Sequence, residues 1–99
     1  MLLVIPTVKK ESSVMRGIVV HHEHRIGFIV IRDPEERFIV AKLLDIYEVE
    51  RGDAITGDFH TVGKTTLFNE TSNQDIQVEI QSTDMTEDAA IELIVNNRH

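Results

Sequence analysis

Residues 15–32 read Met15-Arg16-Gly17-Ile18-Val19-Val20-His21-His22-Glu23-His24-Arg25-Ile26-Gly27-Phe28-Ile29-Val30-Ile31-Arg32, and this stretch decides the fold. Two apolar, mostly β-branched runs, Ile18 to Val20 and Phe28 to Ile31, flank a polar His-Glu-His bend. β-Branched side chains fit a pleated strand better than a helix, so each run predicts a strand and the bend predicts a return. The expected hairpin has one strand from Val14 to His22, a bend over His22 to Arg25, and a second strand from Ile26 to Arg32. Gly17 inside the first strand predicts a bulge or sharp coil of the kind a small barrel needs where it closes.

Downstream, Asp33-Pro34-Glu35-Glu36 predicts a turn, with Asp opening it and Pro presetting φ at the second position. Arg37 to Leu43 reads as a third strand, and Leu44 to Glu50 as either a helical turn or an irregular crossover. Arg51-Gly52-Asp53 is a turn, and Ala54 to His60 a fourth strand with Gly57 in its interior. Val62-Gly63-Lys64 turns into a fifth strand, Thr65 to Asn69, and Glu70 to Gln74 is a polar loop. Ile76-Gln77-Val78-Glu79-Ile80 alternates as a half-buried strand does. Upstream, Met1 to Ile5 reads as a short strand or ordered arm, and Thr7 to Ser13 as a connector.

One helix closes the pattern. Asp84 as N-cap with Glu87 three residues on predicts its start, and Ala90, Ile91, Ile94 and Val95 form an apolar stripe. Asn96-Asn97 is the expected C-cap. A one-sided helix of this length is expected as a lid over one end of a barrel. Its stripe, or the apolar segment Leu2 to Ile5, is the alternative seat of self-association.

The fold class read from this order is mainly β: a small OB-like barrel of five or six strands with one C-terminal α-helix. The 99 residues make one domain, with barrel strands over 15–82 and the helix over 84–97. The net charge of −7 argues against a strong nucleic-acid binder, whose affinity comes largely from phosphate neutralisation. Without cysteine there is no disulfide, thiolate metal site or Cys nucleophile. The opening apolar run is too short for a signal peptide or a membrane span, so the expected compartment is the cytoplasm.

Gly17-Ile18-Val19-Val20-His21-His22, Gly27-Phe28-Ile29-Val30-Ile31, Phe38-Ile39-Val40 and Glu50-Arg51-Gly52-Asp53 follow one another in an order that resembles a cold-shock domain and, more broadly, an OB-fold. The resemblance spans Met15 to Asn69 and leaves the last strand and the helix outside. It implies a sheet face around His21, His22, Arg25, Phe28 and Val30 that takes single-stranded RNA or DNA. In that family exposed aromatics stack on bases, each worth about 1–3 kcal/mol. This chain departs there: His21 and His22 replace an aromatic pair, Val30 and Ile39 stand at further aromatic positions, and Ala41 at a histidine. Phe28 is retained and expected partly exposed. Arg16, Arg25, Arg32 and Arg37 offer a local positive face, but the net charge of −7 and the lost aromatics imply that such binding is weak.

Other constellations carry less. His22 and His24, two apart on a strand, would project to one face and offer two imidazoles to a zinc ion, with His60 converging from elsewhere. Solvated or base-stacking histidines are the plainer reading. Gly63-Lys64-Thr65-Thr66 resembles the end of a P-loop, but the required earlier glycine is Asp58. Asp45, Glu48, Glu50, Asp53 and Asp58 lack a nucleophile partner and read as a solvated acidic patch, open to a basic partner. Ser12, Ser13 and Ser72 have no glycine elbow. Phe38, Phe59, Phe68 and Tyr47 read as core or lid contacts. The expectation is therefore a non-catalytic binding module without cofactor, taking weak single-stranded nucleic acid or, alternatively, a protein partner.

Overall fold

The computed structural model describes residues 14–96. Six strands and one helix follow in order: β1 (Met15–Glu23), β2 (Phe28–Arg32), β3 (Phe38–Leu43), β4 (Ala54–Gly57), β5 (Gly63–Asn69), β6 (Gln74–Met85) and α1 (Glu87–Asn96). The strands close into a barrel in the order β1-β2-β3-β6-β5-β4, with every neighbouring pair antiparallel. The architecture is mainly β, a closed six-stranded barrel with one C-terminal helix, and is compatible with an OB-like fold. The segments read as an arm (Met1 to Ile5) and a connector (Thr7 to Ser13), and the cap residue Asn97, lie outside the described residues.

Closure depends on β1 serving two partners. Its first part pairs with β4 from Met15↔Gly57 to Ile18↔Ala54, and its second with β2 from Ile18↔Arg32 to Glu23↔Phe28. The register slips between Val19 and His21, so Val20 occupies a bulge that adds twist where the strand changes partner. Gly17 permits the close approach at this corner. A Cβ there would lie 2.6 Å from Ile31 Cγ2 and 2.8 Å from the Arg32 carbonyl oxygen.

Alternation sorts the side chains into two cores. Val19, Ile29, Ile31, Ile39, Ala41, Ile55, Leu67, Ile76, Val78 and Ile80 point inward and fill the barrel. Val49 from the loop after β3 and Phe59 from the loop after β4 also belong to this core. Phe28, Val30 and Val40 point outward and meet Ala90 and Ile94 of α1 in a second core. Each Val, Leu, Ile or Phe among them contributes roughly 1.5–3 kcal/mol when removed from water.

Several boundaries differ from the sequence expectation, each for a local reason. The β1–β2 bend is His24 to Gly27 rather than His22 to Arg25, because Gly27 takes φ 70° and both Ile26 and Gly27 donate to the Glu23 carbonyl. Leu44 to Glu50 forms no helical turn; it is held by the Gln77 N–H donating to Tyr47 Oη and by the burial of Val49. β4 stops at Gly57 so that Phe59 can turn into the core, and β5 begins at Gly63 rather than Thr65. β6 is longer than expected, pairing with β5 over Gln74 to Ile80 and with β3 over Val78 to Met85. Asp84 is therefore a strand residue at φ 54°, ion-paired with Arg37 at 3.1 Å, and not the helix cap. Thr86 is the cap: its hydroxyl accepts from the Ala89 N–H at 3.2 Å. Nor does α1 close a barrel end. It lies on the outer face of β2 and β3, which the apolar outward side chains of those strands require.

Candidate functional site

Three polar clusters organise the barrel. At the end of β2, Asp33 Oδ1 accepts the N–H groups of Glu35 and Arg37 at 2.8 and 2.9 Å, and Oδ2 bonds His60 Nε2 at 3.0 Å. Burial alone would raise the Asp33 pKa, but the Arg37 amide, the His60 ring and the Glu35 amide outweigh it and hold the carboxyl below its ordinary value. These contacts occupy the carboxylate in ordering a turn. At the β4–β5 end, Asp53 Oδ2 accepts from the Glu50 N–H and Asn69 Nδ2, both at 2.9 Å. Asn69 Oδ1 in turn accepts from Thr71 and Ser72 N–H. The acids expected to form a solvated patch are partly turn fasteners: Asp45 caps Ile46, Asp58 caps His60, and Asp53 is buried.

The third cluster lies on β1 beside α1. β4 stops pairing at Ile18, so from His21 to Glu23 β1 has β2 on one side and, among the described residues, no strand on the other. The gap is bordered by the loop carrying Arg51 and by the first and last turns of α1. It forms a cavity of about 260 Å3 between His21, His22, Glu23 and Arg51 on one wall and Ile91, Ile94 and Val95 on the other. A second depression of about 510 Å3 adjoins it through His21 and Arg51, reaching Gly52 and Glu87.

Each histidine here has a definite setting. His21 Nε2 lies 3.1 Å from Glu87 Oε2, tying β1 to the start of α1. His22 Nδ1 lies 2.7 Å from the Val49 carbonyl oxygen, which only accepts, so Nδ1 carries the hydrogen and the neutral ring leaves Nε2 as an acceptor. Burial lowers the His22 pKa; the Val49 bond opposes this without overcoming it. His24 stacks on His22 with ring centroids 3.7 Å apart and planes at 28°. Among the described residues no three His, Asp or Glu side chains are placed to hold a metal.

The residues expected to form one ligand face are divided. His21 and His22 line the groove, whereas Arg25 is exposed at the hairpin tip and lines none of the depressions described. Phe28 and Val30 are only 8% and 0% exposed, covered by α1, so the expected stacking surface around them is not open. Arg16 pairs with Glu70 and Arg37 with Asp84, away from Phe28. The P-loop-like Gly63-Lys64-Thr65-Thr66 is simply part of β5, paired to β6. Arg51 and Glu87 were missed because nothing local to a turn or a helix start says that the two elements meet. The apolar stripe of α1 was legible, but not which of its residues remain at a groove.

Comparison with protein-family models, curated proteins and solved structures finds no match for the chain. Among the described residues no helix is long and apolar enough to cross a membrane.

Proposed function

We propose that this protein is a non-catalytic interaction module that docks a segment of a protein partner in the groove between β1 and α1. One observation carries the reading. The helix covers the sheet face at Phe28 and Val30 and leaves beside it a groove with an apolar wall and a polar wall. Such a surface offers aliphatic contact together with hydrogen-bonding and charged groups to fix register. The clusters around Asp33 and Asp53 support the non-catalytic reading, because their carboxylates are occupied in fastening turns. The proposed compartment is the cytoplasm, on the strength of the cysteine-free composition.

A second reading, weak binding of single-stranded RNA or DNA, keeps the function implied by the cold-shock-like order of the sequence. Its support is the outer row beyond the helix, where Ile18, Arg32 and Phe38 are cross-strand neighbours. Arg16 and Arg32 border a depression of about 500 Å3 at that end. The same depression is lined by Asp33 and Glu36, and Arg16 is engaged by Glu70, which favours the protein-partner reading.

Peptides selected from a displayed random library on the full chain test the proposal. Binding that is lost in Val95→Asp and kept in Arg32→Ala supports groove docking. Fluorescence anisotropy of a labelled mixed-sequence oligonucleotide at low salt tests the second reading. Saturable binding abolished by Arg32→Ala or Phe38→Ala would put the outer row in place of the groove.

A further inference from the structure

The apolar wall of the groove calls for a cover, and this chain carries one. We infer that Leu2 to Ile5 of the same chain adds a short strand beside His21 and His22 and covers Ile91 and Val95, so that a partner segment must displace it. Only the displacement rests on the docking reading above; the occupancy stands without it. Leu2-Leu3-Val4-Ile5 is an uninterrupted apolar run, and Pro6 behind it has no N–H to continue a ladder. Such a run suits a strand covered on both faces. The groove offers a strand side and an apolar wall together. Beside His21 and His22, among the described residues, β1 has no second strand. Facing them stand Ile91, Ile94 and Val95, the last of them 46% exposed. His21 is already bonded to Glu87 and His22 to the Val49 carbonyl, and an uncharged occupant disturbs neither contact. β5 also runs past its pairing with β4, from Gly63 to Leu67, but its exposed residues there, Lys64 and Thr66, are polar and give an added strand no apolar wall.

Spacing and reach both fit. Side chains on one face of a strand recur about every 6.6 Å. Ile91 and Val95 are one turn apart, about 6 Å along the helix axis. Leu3 with Ile5, or Leu2 with Val4, therefore matches them. β1 carries the chain from Val14 to His21, about 23 Å at the extended rise. The stretch from Ile5 to Val14 spans up to about 30 Å when extended. The link reaches the groove with little to spare, so Ile5 lies at its near end and the segment runs antiparallel to β1. A tether this short holds the segment at an effective concentration on the order of millimolar. Contacts too weak to join two separate molecules therefore suffice within one chain.

The test is paramagnetic relaxation in the full chain, read at the methyl groups of Leu2, Leu3, Val4 and Ile5. The chain has no cysteine, so Glu92→Cys accepts a single spin label. Glu92 is exposed beside Ile91 and does not line the groove, so the label leaves it open. The expected result is strong broadening of the Leu3 and Val4 methyl signals. It should disappear when Val95→Asp is added, with the β5 signals unchanged. Absence of broadening in the full chain would overturn the inference. Broadening seen only between a spin-labelled copy and a separate isotope-labelled copy would also overturn it, by making a second molecule the occupant. Displacement is read from the displayed-library peptides, which should bind Leu3→Asp/Val4→Asp several-fold more tightly than the parent chain. Unchanged affinity would overturn the displacement. No broadening together with Val95-dependent peptide binding would remove the inference and leave the docking reading standing. Broadening with no peptide bound, even by Leu3→Asp/Val4→Asp, would support the occupancy and remove the external partner.

Discussion

β2 and β5 are both barrel strands, yet they meet water differently. β2 reads Phe28-Ile29-Val30-Ile31-Arg32, and its first four residues are all buried. β5 reads Gly63-Lys64-Thr65-Thr66-Leu67-Phe68-Asn69, and only Leu67 and Asn69 are buried. An uninterrupted apolar run belongs to a strand covered on both faces, and a polar alternation to one with a wet face. On β2 the second cover is α1. The contrast teaches that the outer face of β2 was never an open platform, since four consecutive apolar residues already called for a second covering layer.

The two outward phenylalanines give the sharpest test of that contrast. Phe28 is 8% exposed beneath the helix, and Phe68 is 36% exposed on β5. Phe28→Ala should cost about 3–5 kcal/mol in chemical denaturation. Phe68→Ala should remain within about 1 kcal/mol, as surface substitutions usually do. Similar costs would break the comparison by showing that α1 does not hold its cover.

The turns that end the two strands extend the contrast to polar groups. Asp33→Ala removes the acceptor for two amides and His60, and should cost about 1.5–3 kcal/mol. Asp33→Asn keeps an acceptor oxygen but removes the charge, and so isolates the pH dependence. The folded Asp33 carboxyl titrates below its ordinary value of 3.8. Between those two values the unfolded chain binds more protons than the folded one, so stability rises with pH there. The contribution is complete above about 3.8 and lost as pH falls through the folded value; Asp33→Asn should flatten this acid limb.

Thr86→Ala loosens the cover itself. Loss of the cap should cost about 1 kcal/mol and raise amide exchange at Phe28 and Val30 while leaving β5 unchanged. Equal acceleration in β5 would mean that helix and barrel open as one unit. The smallest effect is at His22, whose titration followed by nitrogen chemical shifts should have its midpoint below 6.5 with the Nδ1–H tautomer. The sign matches that of Asp33: the stabilisation is present above 6.5 and is lost as pH falls toward the lower folded value. A midpoint above 6.5 would mean that the Val49 bond and nearby carboxylates outweigh burial.

Most of the strand order was legible because it rests on local chemistry: Ile18 to Val20 and Phe28 to Ile31 have no better conformation than a strand, and Asp33-Pro34 no better one than a turn. Errors arose where distant contacts decided. Asp84 followed by Glu87 has the pattern of a helix start, yet pairing to β3 and the ion pair with Arg37 draw Asp84 into β6, and Thr86 takes the cap. The burial of Phe28 and Val30, two of the five residues of the candidate face, has a related reason. The family resemblance ends at Asn69, and the helix that buries Phe28 and Val30 lies beyond it, at Glu87–Asn96.

The amino-acid order alone was enough for the mainly β class, the hairpin, the turns and the single C-terminal helix, because each depends on neighbours a few residues apart. Where that helix packs, which histidine meets Glu87 or Val49, and how Arg51 comes to share a groove with Ile91 and Val95 depend on barrel closure. Closure brings β1 between β2 and β4 and carries β6 across β3, setting residues beside partners that are dozens of positions away. A hydrophobic pattern records that a face must be covered; only the packed structure decides what covers it.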